Sequence, residues 1–402
     1  MKLTILSLIL MTAFVVGCED AEPDTKDFPF LITLDPTNID ETGATFRGEL
    51  NKEGMSPVTS YGFIWTTHDL DPVVTHKVII GEDVTPGTFE TRIDSLLLGG
   101  ISYEIRAFAT YSDKTVYGNA VILYSQGSEK YPWGFATNVK LNYNNLDNTF
   151  GSTDGTNGYV ISQNRTAYLY DTEKNTFSSI DPFPTTGNTG VDFASATKNG
   201  IQYFIMSTSK NLYKMDNLKW SVQSIIPCSG PHWDYLGFSC ADDIYFLNTV
   251  EFYGYNPETD SWKNNTMLPQ DFYPAVGGTC LNKKVYTVTK AHAVWEYSIE
   301  LNSWKKIAVY PGKINDKLIS FTYNDQVYFG LSYHRFMYGS SGPIDNKMWS
   351  YDPLTDKWTG YPDFPNTITS EDGFFFFFIK DKLFFGNYHG DYSIWTFNPA
   401  RK

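Results

Sequence analysis

One pattern recurs along most of this chain and limits what it can fold into. Phe252 to Pro269 reads FYGYNPETDSWKNNTMLP, and within it an aromatic residue and a turn-forming Asn-Pro are followed by Trp262 and then Pro269. The same order returns at Tyr351 to Pro365 (YDPLTDKWTGYPDFP). Looser copies run Tyr297 to Pro311, Tyr170 to Pro184 with Phe177 in the Trp position, and Tyr213 to Pro227. A last copy, Trp395 to Pro399, is cut off by the C-terminus. The closing aromatics Trp133, Phe177, Trp220, Trp262, Trp304 and Trp358 are spaced 44, 43, 42, 42 and 54 residues apart. Self-similarity at that period marks stacked units that bury their apolar faces only against one another.

Each unit reads as strands. Ahead of each tag lies a β-branched and aromatic run: GYVIS (158–162), IQYFIM (201–206), DIYFLN (243–248), KVYTVT (284–289), QVYFGL (326–331) and KLFFGN (382–387). Such compositions favour strands, and turn residues set them apart from the tag. Another short apolar run lies upstream, as at Phe193 to Ala196 and Phe374 to Phe378. About four short strands per unit without a helical period describe a propeller blade. The tag is then expected as the outer strand, with its Trp packed between blades as core.

The pattern of an IY-type strand, then Tyr-Asp-Pro, Trp and Pro, resembles the kelch repeat over residues 131–402. The Gly-Gly doublet of that family, expected after the third strand, is degenerate here, as at Phe329-Gly330-Leu331 and Phe385-Gly386-Asn387. The resemblance implies a six-bladed propeller. It also implies a binding face made by the loops entering each inner strand and those joining the second strand to the third.

A net charge of −14 and a pI near 4.9 oppose binding to nucleic acid or to an anionic membrane surface, which need clustered Lys and Arg. Met1 to Gly17 has a charged start at Lys2, an apolar stretch and a small residue before Cys18, the layout of a cleaved targeting segment. Val15-Val16-Gly17-Cys18 resembles a bacterial lipobox, which implies lipidation of Cys18. Glu19, Asp20 and Glu22 resemble the export signal of surface lipoproteins of the Bacteroidetes type, which implies a lipid anchor in the outer membrane facing outward. An acidic tether over 18–28 would look the same.

Residues 29–125 read as a separate all-β domain, with strands at ATFRGEL (44–50), SYGFIW (60–65), TFETRI (88–93), ISYEIRAFATY (101–111) and VYGNAVIL (116–123). Tyr103, following the Leu96–Gly100 corner, resembles the tyrosine corner of fibronectin type III and immunoglobulin-like sandwiches. The expected fold is therefore all-β, an Ig/fibronectin-like β-sandwich followed by a six-bladed kelch-like β-propeller. Ser125 to Lys130 is expected as a hinge, and the sandwich as a stalk.

Beyond Cys18 three cysteines remain. Cys240 and Cys280 hold near-equivalent positions in adjacent units, four and five residues before their strands, and read as small buried residues. A Cys228–Cys240 bridge is the alternative in an oxidising compartment. No Cys/His spacing suits a metal.

For ligand binding, Asp192, Asp234, Asp316 and Asp372 precede Tyr203, Tyr245, Tyr328 and Phe384 by 11, 11, 12 and 12 residues, while the fourth unit has Asp271 slightly earlier. That register predicts a ring of carboxylates at one mouth of the channel, where like charges raise one another's pKa or recruit hydroxyl donors. Asp residues that cap turns would give the same spacing. His232-Trp233-Asp234-Tyr235 and Asp271-Phe272-Tyr273 set aromatic faces beside carboxylates, the combination that grips sugar C–H and O–H groups. Lys313, Lys317 and Trp133 are candidates to complete the rim.

No catalytic signature stands out: neither a nucleophile elbow, a zinc-protease helix, nor a phosphate loop is present. Glu371 and Asp372 are adjacent and would face opposite sides of a strand. His292, His334 and His389 fall at similar offsets after the third strand, on the face away from the expected site, and no metal or cofactor is assigned to them. The functional expectation is a non-catalytic surface lipoprotein binding a glycan, with a surface protein in a nutrient-uptake complex as the other partner class. The alternative is a carbohydrate-active enzyme such as a sugar epimerase, mutarotase or lyase, since some six-bladed kelch proteins act on sialic acid.

Overall fold

The tag folds as a hairpin, and its chemistry explains why it repeats. Tyr170, Tyr255, Tyr297 and Tyr351 each donate their hydroxyl to an Asn or Asp five residues on, at 2.8, 2.6, 2.6 and 2.9 Å. Those acceptors, Asn175, Asp260, Asn302 and Asp356, adopt φ of 52°, 47°, 46° and 54°, a left-handed conformation that Asn and Asp tolerate best among residues with a side chain. The residue after the Tyr opens the turn: Asp171, Asn256 and Asp352 accept backbone N–H groups two and three residues ahead. The tag thus supplies two strands and their turn, rather than one outer strand. Tyr170, Tyr255, Tyr297 and Tyr351 face Phe177, Trp262, Trp304 and Trp358 across each hairpin. In the second unit the turn is shorter, with Asn217 and Leu218 both at positive φ, and Met215 rather than Tyr213 faces Trp220.

The computed structural model describes residues 28–67, 73, 75–82, 84–139, 149–162, 164–184, 193–206, 209–228, 235–264, 267–333, 345–365, 374–389 and 391–401. Among them there is no helix, and the chain is all-β. The targeting segment, Cys18 and nearly all of the acidic tether lie outside the described residues.

Six antiparallel four-stranded sheets follow one another. Sheet one is Phe150–Thr153, Gly158–Ile161, Ala167–Asp171 and Thr176–Ile180, in that spatial order. Sheets two to five repeat this plan from first strands at Phe193–Lys198, Leu236–Cys240, Ala275–Leu281 and Lys317–Tyr323. The IY-type runs, expected as third strands, are the second strands, as at Lys284–Thr289, and are buried almost throughout because each lies inside its sheet with another sheet on either face. Sheet six takes three strands from Phe375–Ile379, Lys382–His389 and Asp391–Phe397, and its fourth from Trp133–Val139 near the start of the repeat region. Phe397 faces Trp133 in the register other sheets give to Tyr and Trp. The truncated last tag is therefore completed by Trp133, which belongs to sheet six and not to the first unit.

First strands of consecutive sheets touch from one to five, and those of sheets six and one touch as well. Phe321 stacks on Phe378 at 4.5 Å between sheets five and six. The order of contacts returns to its start, an arrangement compatible with a propeller. Glycines stand where neighbouring first strands crowd together. A Cβ on Gly237 would lie 2.4 Å from the Ser195 carbonyl oxygen, and one on Gly151 2.1 Å from that of Phe376. Hydroxyls stitch the neighbours: Ser320 Oγ donates to the Gly278 carbonyl at 2.8 Å and accepts its N–H at 3.0 Å, and Thr197 and Ser239 donate to the carbonyls of Thr153 and Thr197.

Cys240 and Cys280 form a disulfide between the first strands of sheets three and four, with Cα atoms 5.4 Å apart. The expectation of two unpaired residues is corrected, and so is the alternative bridge, since Cys228 is free and buried. Equivalent positions on converging strands come within bridging range.

Ahead of these lie two facing antiparallel sheets, one of Phe30–Asp40, Gly43–Lys52 and Gly87–Ile93, the other built on Val58–Thr67 and Ser102–Tyr111. Phe46 meets Phe63 and Trp65 between them at 5.8 and 5.5 Å. The predicted strand 116–123 is split into Lys114–Tyr117 and Val121–Tyr124, because Asn119 leaves the ladder to bond both backbone groups of Thr33. Tyr103 is buried, and its hydroxyl accepts the Leu98 N–H at 2.9 Å. The segment expected as a hinge is fastened. Ser125 exchanges backbone bonds with Gly100 and Ile101, Ser128 Oγ bonds both backbone groups of Leu97, and Lys130 pairs with Asp94. One apolar cluster runs from Leu31 and Phe46 through Trp133 to Phe321 and Trp395.

Candidate functional site

In an antiparallel sheet the start of the first strand lies beside the end of the second. The loops entering first strands therefore share an edge with the turns joining second to third strands. In sheet four, Pro274 accepts the Lys290 N–H at 2.9 Å, which ties the entry loop to the turn after Thr289. In sheet five, Asn315 N–H donates to Ser332 Oγ at 2.6 Å and Asp316 N–H to the Tyr333 carbonyl at 3.2 Å. Between sheets, Lys290 Nζ reaches Asp316 Oδ1 at 3.4 Å.

Asp271 and Tyr273 stand at this edge. Phe272 between them is buried against Trp295 and Trp304, at 5.7 and 5.1 Å between ring centres. It pins the loop and turns its two neighbours outward, Asp271 exposed and Tyr273 58% exposed. A large aromatic left that open beside a carboxylate is a surface suited to packing on a ligand. Asp316 is not a lone carboxylate of a ring, because it shares the Lys290 ammonium. Lys313 is exposed, and its backbone N–H donates to Asp345 Oδ2 at 2.9 Å. Burial holds the Asp345 carboxyl above the usual range despite that bond, so it retains its proton to higher pH than an exposed aspartate.

Three expected rim residues sit elsewhere. Tyr235 is 4% exposed, with its ring in the core beside Cys228 and its hydroxyl bonded by Asn248. Burial pushes its pKa up to about 12, so it remains neutral and packed rather than facing a ligand. Lys317 opens the first strand of sheet five and is 4% exposed, inside the wall. Trp133 is buried in sheet six, where its Nε1 donates to the Pro362 carbonyl at 2.8 Å. Tyr235 and Lys317 are buried by their place at the start of a first strand, and Trp133 by its place in the fourth strand of sheet six, whatever their chemical type.

Asp192, His232, Trp233, Asp234, Glu371 and Asp372 lie outside the described residues. Among the described residues, the first strands carry no Asp or Glu, so they supply no carboxylate to the expected ring. His292 lies in the turn between the second and third strands of sheet four, on the edge with the entry loops and not opposite them. Its Nδ1 is 3.3 Å from the Tyr310 carbonyl. His334 and the side chain of His389 are outside the described residues. Among the described residues no group of three His, Cys, Asp or Glu side chains is placed to hold a metal ion. Lys290 and Asp345 escaped the sequence reading; the available signal for Lys290 was its place directly after the second strand, where the expected face is built.

No family model matches the chain. No curated protein matches it either. Among solved structures, it is similar to one described as the structure of YjhT, at 15% identity and a TM-score of 0.41, over 52% of this chain and 75% of the other. It is also similar to a structural genomics protein of unknown function from Bacteroides thetaiotaomicron VPI-5482, at 10% identity and a TM-score of 0.46, over 94% of this chain and 99% of the other. At these scores neither likeness bears on what the chain binds.

Proposed function

We propose that this protein is a surface-exposed lipoprotein of the outer membrane, anchored through Cys18, in which a fibronectin-like sandwich carries a six-bladed kelch-like propeller that binds a glycan without chemical change. The observation that carries the binding reading is the exposed Tyr273 and Asp271, set outward by the buried Phe272 beside the Lys290–Asp316 pair. An open aromatic face takes sugar C–H groups, carboxylates accept sugar hydroxyls, and an ammonium donates to them. The tyrosine hydroxyl bond at Leu98 supports the sandwich reading, and the cyclic order of sheet contacts supports the propeller. The anchor rests on the sequence at Val15 to Cys18.

A glycan array probed with the chain from residue 19 onward tests the reading. Specific hits are expected, weakened about tenfold or more by Tyr273→Ala or Asp271→Ala. Hits indifferent to both substitutions remove this edge as the site, and an array without hits that accompanies capture of a defined surface protein shifts the reading to a protein partner.

A further inference from the structure

A cavity of about 340 Å³ lies on the other side of the molecule, where the N-terminal sheets meet sheets one and six. This falls at the small end of the roughly 300–1,000 Å³ common for ligand pockets. It is bounded by hairpin turns: Thr172 and Asn175 from the tag of sheet one, and Lys382 after the first hairpin of sheet six. The entry loops of the proposed glycan edge lie at the opposite ends of these strands.

The wall is fixed. Gly99 and Gly134 form a parallel bridge, and Phe135 N–H donates to the Gly99 carbonyl at 2.7 Å. Gly100 has φ +80° and approaches so closely that a Cβ would lie 2.2 Å from the Phe135 carbonyl oxygen. The last corner of the N-terminal sheets and the start of the Trp133–Val139 strand are thus held together around an open space, with Phe135 and Phe384 offering aromatic surface to it.

The polar groups that face it are mostly donors. Asn175 Oδ1 accepts the Tyr170 hydroxyl at 2.8 Å, and Asn398 Oδ1 accepts the Ala400 N–H at 3.0 Å. Each carbonyl end is already engaged once, while neither NH₂ group has a partner among the described residues and both remain able to donate. Lys382 makes no ion pair among the described residues and is exposed. Arg401 contributes a guanidinium, one nitrogen of which is 3.4 Å from Glu41. An excess of donors and one uncompensated cation, in a chain of net charge −14, calls for an acceptor-rich anion. The aromatic surface, with Glu41 as an acceptor for hydroxyls, calls for C–H and O–H groups on the same ligand.

We propose that this cavity is a second binding site, taking a small hydroxylated carboxylate about the size of one uronic acid. The carboxylate sits at Lys382 and the asparagine amides, and the ring packs on Phe384. Titration calorimetry of the chain from residue 19 onward with galacturonate, glucuronate and gluconate tests it, using glucose as the neutral control. Saturable binding of at least one acid but not of glucose is expected. Loss of a charge-assisted bond predicts affinity reduced about ten- to a hundredfold in Lys382→Met and largely kept in Lys382→Arg. Lys382 is on an exposed hairpin, so its replacement leaves the melting temperature unchanged. Absence of binding by all three acids overturns the proposal. So does binding that Lys382→Met leaves intact, or that Tyr273→Ala removes instead, which would assign it to the other face.

Discussion

Four tyrosine hydroxyls bonded to a left-handed Asn or Asp give the repeat its most local rule. Tyr255 and Asp260 form one of the two shortest pairs with 2.6 Å between oxygens, at a turn whose Asp has φ 47°. Deleting that hydroxyl in Tyr255→Phe is expected to cost about 1 kcal/mol, as for a typical internal hydrogen bond. Asp260→Ala loses the same bond and places a poorly suited residue at positive φ, so it should cost about 1–2 kcal/mol, while Asp260→Asn should be close to neutral. Urea denaturation followed by Trp fluorescence measures all three. Equal midpoints for Asp260→Ala and Asp260→Asn would show that the left-handed turn does not discriminate between them. The sequence displayed the aromatic residue and the turn-forming Asn-Pro of the tag. The bond from Tyr255 to Asp260 stayed hidden because nothing in a linear pattern says that a Tyr side chain folds back over its own hairpin.

Strands and their junctions were legible to different degrees. Composition located the second strands well, since apolar residues crowd there on both faces, and the aromatic spacing gave the number of sheets. It misplaced Trp133 because the fourth strand of sheet six is drawn from the far end of the repeat region, a pairing that no local pattern announces. It left Cys240 and Cys280 apart, although their equivalent offsets are what bring them together where first strands converge. That bridge closes a stretch with a sequence separation of 40 residues and links sheets three and four at their innermost strands. By the loop-entropy argument a crosslink of this span stabilises by about 4 kcal/mol. The double variant Cys240→Ala/Cys280→Ala should lose a comparable amount, and reductant should lower the melting temperature of the parent but not of the variant. A parent indifferent to reductant would argue against a formed bridge. At the candidate rim, residue types were legible and directions were not: Tyr235 and Lys317 adjoin Asp-containing entry loops, yet their strand positions turn them into the core.

Across the whole molecule, the apolar cluster that begins at Leu31 and ends at Phe397 crosses the junction between the N-terminal sheets and sheets five and six. Backbone bonds at Gly99, Gly100 and Ser125 to Lys130, with the Arg401–Glu41 pair, reinforce it. Two parts joined this way should melt together, so calorimetry is expected to show one transition. Gly100→Val drives a branched side chain toward the Phe135 carbonyl at a φ of +80°, and should lower that transition or split it. Two separate transitions in the parent would mean that the junction contributes little. The serine, glycine and lysine of the connecting segment suggested a loose joint because their sequence reports only polarity, whereas the bonds that fasten it come from partners distant in sequence, such as Leu97 for Ser128 and Asp94 for Lys130.

Sheet six draws one of its strands from Trp133–Val139 and the neighbouring one from Asp391–Phe397. A ribosome makes the former about 260 residues before the latter, the span between the partners Trp133 and Phe397. Until the later strand has been made, the early one has no mate on that side and leaves a bare edge of the kind that recruits other chains. Growing copies, and any product that stops short of Asp391, are thus the forms most prone to clump.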